Sequence, residues 1–151
     1  MSLELVCPAG NLPALKVAVD NGADCVYMGF KDNTNARAFA GLNFDQTSAL
    51  EGVRYAHAKG TKVLLALNTF PQSDKWERWQ GAVDNAVQLG IDAVILADPG
   101  LMRYASRTYP QLRLHLSVQG SATNYEAINF YHEHFGIQRA VGVELAPVGE
   151  E

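Results

Sequence analysis

The chain has 151 residues, 48% of them hydrophobic and 19% charged, and a formal net charge of −4. This length suits one domain with its own apolar core, and an acidic balance without any cluster of Lys and Arg argues against a phosphate-backbone binder. No apolar run approaches the roughly 18–20 residues that span a bilayer, no leader-like segment opens the chain, and its two cysteines, Cys7 and Cys25, lie in apolar runs as in a reducing compartment, so a cytoplasmic, non-transmembrane protein that does not bind nucleic acid is expected.

The first predicted strand covers residues 3–7. Asn11 then caps a helix with Pro13 in its first turn and Leu12, Leu15 and Val19 on one face. Asn21–Gly22 ends that helix, and a second strand follows at 25–29. A polar segment from Lys31 to Arg37 leads to a helix on which Leu50, Val53 and His57 share a face. Lys59–Gly60 precedes the third strand, 62–67, and Ser73 opens a longer helix striped by Trp76, Trp79, Val83, Ala86 and Val87. Leu89–Gly90 precedes the fourth strand, 93–97. Pro99 begins a shorter helix that Pro110 stops, before a fifth strand at 113–118. Thr123 and Glu126 predict a capping box for the last helix, with Ile128, Tyr131 and Phe135 facing inward, and a sixth strand is predicted at 139–143. Residues 144–151 read as a short acidic tail.

One grammar repeats: an amphipathic helix, a glycine that can end it in the left-handed region, then a short run apolar on both faces, as in a buried parallel strand. Strand starts advance by about 27 residues, near the ~31 per unit of an eight-fold barrel. The fold class expected is α/β, with parallel βα repeats of TIM-barrel type, incomplete at about six strands of eight, over residues 1–143. An open doubly wound sheet is the alternative, but Pro8–Ala9–Gly10–Asn11 lacks the glycine-rich fingerprint of that fold. Six strands leave edges with unpaired backbone groups, so a marginal monomer and a homo-oligomer through those edges are expected.

Working residues of parallel α/β folds gather where strands end. Asn35 and Arg37 after the second strand, Asn68 after the third, Asp98 after the fourth, and Ser117 and Gln119 after the fifth are the candidate substrate-binding residues of one mouth. Asn11 reads rather as a helix cap, and Asp98 before Pro99 fits a cap equally well. Asn68 and Gln119 have no capping role, and the loop bearing Arg37 is longer than a strand-to-helix link requires. His132 and His134, at i and i+2, face different ways, which argues against shared zinc. His57 and His115 read as packing or surface residues. No nucleophile elbow, metalloprotease helix or phosphate loop is present; catalytic residues are not identified and no metal site is expected.

Four strings carry a resemblance: Glu4 to Leu12 with Asn21 to Asp24, Asp32 to Phe44 (DNTNARAFAGLNF), Ser117 to Asn124 (SVQGSATN), and Glu126 to Tyr131. Over residues 3–141 the chain resembles the collagenase-like U32 peptidase family, and within it the UbiU-like branch of ubiquinone biosynthesis. The resemblance implies oxygen-independent hydroxylation of a small quinone-precursor substrate, a UbiV-like paralogue as partner, and a four-iron, four-sulfur cluster on four cysteines of full-length relatives. Neither Cys7 nor Cys25 corresponds to those cysteines, so no cofactor is expected in this chain and little activity from it alone. The alternatives are a collagenase-like peptidase, for which no nucleophile–base pair is evident, and a non-catalytic module for a small anionic ligand or a partner. Other relatives act in RNA hydroxylation, a reading the missing basic patch disfavours.

Overall fold

The computed structural model describes residues 3–141. The expected tail, 144–151, and the end of the predicted sixth strand, Gly142 and Val143, lie outside the described residues. Strands and helices alternate as β1 (Val6–Pro8), α1 (Leu12–Asp20), β2 (Cys25–Met28), α2 (Gln46–Ala58), β3 (Lys62–Leu67), α3 (Trp76–Leu89), β4 (Ala93–Leu96), α4 (Pro99–Thr108), β5 (Arg113–Leu116), α5 (Tyr125–Phe135) and β6 (Arg139–Ala140). The strands form one sheet in the order β1-β2-β3-β4-β5-β6, every neighbouring pair parallel. A doubly wound sheet would reverse its order part-way. This one never does, and an incomplete TIM-type barrel is the result.

The two-residue period of a strand separates the faces. Val26, Met28, Val63, Leu65, Leu67, Val94, Leu96, Leu114 and Leu116 pack with Leu15, Val19, Val53, Trp79, Val83, Leu101 and Met102 of the helices in one core. Val6, Pro8, Tyr27, Leu64, Ala66, Ile95, His115 and Arg139 line the concave side instead. The sheet curls enough for Arg139 of β6 to donate a hydrogen bond from Nη2 to Glu4 Oε2, just before β1, at 2.8 Å. Lys62 Nζ lies 3.9 Å from the other oxygen of Glu4.

Several local expectations need correction. The first strand begins at Val6 rather than residue 3, because the Leu5 N–H is taken by the Asp24 carboxylate at 2.7 Å. On α2 the buried residues are Ala49, Gly52, Val53 and Ala56, whereas Leu50 and His57 are exposed. The reason is close packing on α1: a Cβ at Gly52 would stand 3.0 Å from Leu15 Cδ1, so small side chains make this contact. Ser73 opens a 3-10 turn (Ser73–Lys75) and α3 proper starts at Trp76, with Trp79, Ala82, Val83 and Ala86 buried. The cap of α5 is Asn124, not Thr123: its side chain accepts the Ala127 N–H at 3.0 Å. Asn11 caps α1 by accepting Ala14 N–H at 2.9 Å. No helix among the described residues is long and apolar enough to cross a membrane.

Candidate functional site

The concave face holds a cleft of about 600 Å³ at the carboxyl ends of the strands. Its rim is built largely by the segment between β2 and α2. Phe30 and Phe44, both buried, form a parallel bridge that closes this segment into a loop. Asn35 is its hub and is only 6% exposed. The Arg37 N–H donates to Asn35 Oδ1 at 3.1 Å, and Asn35 Nδ2 donates to Asn43 Oδ1 at 3.2 Å. Asn43, in the left-handed region at φ 74°, returns a bond from Nδ2 to the Arg37 carbonyl at 2.8 Å. Asn35 needs a glycine opposite it. A Cβ on Gly29 would stand 2.1 Å from Asn35 Nδ2.

Two strand ends hold this loop in place. Asn68, just past β3, accepts the Ala36 N–H on Oδ1 at 3.0 Å, while its Nδ2 lies 3.5 Å from Ser117 Oγ. Ser117 Oγ accepts the Gln119 N–H at 3.2 Å, starting a short 3-10 turn over Val118–Gly120. Thr69 Oγ1 donates to the Asn33 carbonyl at 2.6 Å and accepts Trp79 Nε1–H at 3.0 Å. The rigid side of α3 is thereby tied to the loop.

Of the six residues predicted from the strand ends, Asn35, Arg37, Asn68, Ser117 and Gln119 all line the cleft. Asp98 does not. Its carboxylate is spent on the N-terminus of α4, accepting Leu101 N–H at 2.8 Å, with Pro99 locking the first turn.

His115 and Arg139 were missed as site residues, although both line the cleft. The signal was available: His115 lies two residues before Ser117 within the predicted strand 113–118, and that spacing places both on one face. His115 is 4% exposed, and its Nε2 is buried without a hydrogen-bond partner among the described residues. Burial first, and then the Arg139 and Arg113 guanidiniums, push its pKa down to about 4. The imidazole is therefore neutral at pH 7. The residues lining the cleft include Arg37 and Arg139 and no Asp or Glu, and Arg139 is paired with Glu4 at 2.8 Å. Exposed Phe39, Leu42 and Val118 give it an apolar lip.

Such a set can orient a polar ring by hydrogen bonds. Bond cleavage by a nucleophile is poorly served, because the Ser117 hydroxyl meets an amide side chain and a backbone N–H rather than a base. Cys7 is half-buried and Cys25 buried, the latter with its thiol pKa raised chiefly by burial. A four-iron cluster normally takes four thiolates, and among the described residues no group of three or more His, Cys, Asp or Glu is placed to hold a metal. The described residues do not fit such a cluster.

The model of peptidase family U32 matches residues 10–144. The chain belongs to peptidase family U32. This U32 chain is 35% identical over 139 residues to the tRNA hydroxylation protein P of Helicobacter pylori, covering 92% of this chain and 32% of that protein. It is 40% identical over 129 residues to an uncharacterized protease of Methanocaldococcus jannaschii, covering 85% of this chain and 31% of that one. A solved U32 peptidase superposes with a TM-score of 0.71 at 15% identity, over 89% of this chain and 57% of that structure, and shares its fold. The chain spans about a third of the length of the curated relatives it matches.

Proposed function

We propose that this chain supplies the substrate cleft of a U32 hydroxylation protein acting on a planar ring. The observation that carries the reading is the convergence of Asn35, Asn68, Ser117 and Gln119 on one cleft with an apolar lip and no carboxylate. Amides and a hydroxyl can fix the orientation of a ring, while the apolar walls receive its faces. Two substrates fit. A base in RNA is favoured by the similarity to tRNA hydroxylation protein P. A ubiquinone precursor is favoured by exposed Phe39, Leu42 and Val118, which suit an apolar substituent better than a phosphate backbone. On the ubiquinone reading, the four-iron, four-sulfur cluster and a UbiV-like partner belong to the wider hydroxylation system. The setting is the cytoplasm, where Cys7 and Cys25 stay reduced.

Cells lacking the gene for this protein, grown without oxygen, test the reading. Mass spectrometry of their RNA nucleosides and quinones should show one hydroxylated product lost and restored on complementation. Loss of a hydroxynucleoside identifies RNA as substrate, and loss of ubiquinone with unchanged RNA identifies the precursor. If both pools match the parent strain, hydroxylation is excluded and the peptidase reading returns.

A further inference from the structure

His115 sits between Leu114 and Leu116, whose side chains face the helix-packed core, and it alone of the three turns to the concave side. Its register partners are Ile95 on β4 and Arg139 on β6. A leucine or isoleucine would fill this floor position without burying an unpaired polar atom, which is costly. The chain instead carries an imidazole that is 4% exposed, with Nε2 enclosed and unpartnered among the described residues. Buried polar groups without partners call for an explanation, and here the group lines the cleft, two residues from Ser117.

We propose that His115 is a substrate-contacting residue whose imidazole, turning to bring Nε2 out to the cleft, hydrogen-bonds an uncharged carbonyl, hydroxyl or ring N–H of the ring held there. This rests on the reading of the cleft as a ring-substrate site. A neutral imidazole offers one donor and one acceptor, and burial first, then Arg139 and Arg113, disfavour its protonated form against the opposing pull of Glu4. The group recognised is thus a neutral polar edge. An anionic partner would instead draw a proton onto the ring and raise its pKa.

Titration of the full chain with uridine and with 2-allylphenol, followed by NMR of the histidine side chains, provides the test. At least one probe should shift the His115 resonances without raising its pKa. His115→Leu should weaken binding of that probe by about tenfold or more, with a thermal midpoint equal to or above that of the parent chain, since the unpaired atom is gone. A structural histidine would behave oppositely, losing stability and leaving affinity unchanged, and that result overturns the proposal. Should His115→Leu fail to fold, the wild-type titration decides alone: unmoved His115 resonances with both probes overturn it. If that happens while hydroxylated product is still lost in the deletion strain, the cleft keeps its proposed function and only the role of His115 falls.

Discussion

A buried imidazole that stays neutral to about pH 4, against 6.5 for the free side chain, ties stability to pH. As pH falls from about 6.5 towards 4, the unfolded chain takes up a proton that the folded chain refuses, so stability is lost across that window. The loss attributable to His115 is up to about 3 kcal/mol. Asp45, Asp20 and Glu4 have pKa values lowered by Ser48, Lys59 and Arg139 respectively, below ordinary values of 3.8 for Asp and 4.5 for Glu. Their stabilisation is lost as pH falls below those values, so most of the His115 window is separate from theirs. Urea unfolding at stepped pH should show the decline between 6.5 and 4, and His115→Leu should flatten it. Gly29 makes a second residue-scale case. Gly29→Ala puts a Cβ 2.1 Å from Asn35 Nδ2, which must leave its buried place. The expected cost is on the order of 1–3 kcal/mol, read from the same urea curves. Residue type made Asn68 and Gln119 legible, because amides at the ends of apolar strands need partners, and Asn35 was legible only as part of the long polar segment after the second strand. His115 was passed over because a lone histidine in an apolar strand reads as packing, and only its two-residue spacing from Ser117 revealed its face.

The β2–α2 loop depends on strands that are distant in sequence. Asn68 holds the Ala36 N–H at 3.0 Å across 32 residues, and Thr69 holds the Asn33 carbonyl across 36. Asn68→Ala removes an acceptor at the rim but leaves the helix-packed face of β3 (Val63, Leu65, Leu67) untouched. Limited proteolysis should therefore find faster cleavage within residues 31–44, while global stability falls by only about 1 kcal/mol. Equal losses at the loop and in the core would show that Asn68 supports the barrel rather than the loop. The existence and order of the helices could be read from their glycine stops and caps. Their faces could not always be: α2 buries alanine and glycine against α1 because the two axes approach closely, and a stripe chosen by side-chain size picks out Leu50 and His57 instead. Asp98 is a similar case, since one carboxylate before a proline serves a cap or a ligand, and only the Leu101 bond decides.

At the scale of the molecule, β1 and β6 each have one strand neighbour among the described residues, β2 and β5 respectively. Parallel order and repeat length were readable from the periodic glycines. The curl was not, because it is marked by a contact between residues 135 apart, Glu4 and Arg139, that no local pattern announces. Both partners are substantially exposed, so the pair shapes the opening more than it stabilises the fold. Unpaired strand edges favour pairing with another chain, and the molecule also exposes Tyr125 and Phe130 on α5. The chain should therefore self-associate at micromolar concentration, with two-fold symmetry covering equivalent edges. Arg139→Gln cuts the tie between the two ends of the sheet. The edges can then spread, and association measured by light scattering should strengthen, while the urea midpoint taken well below the associating concentration stays unchanged. Added salt should mimic the variant in the wild-type chain, because screening weakens the same exposed pair. A wild-type chain that stays monomeric, with Arg139→Gln monomeric as well, would show that six curled strands protect their own edges without either the ion pair or a second copy.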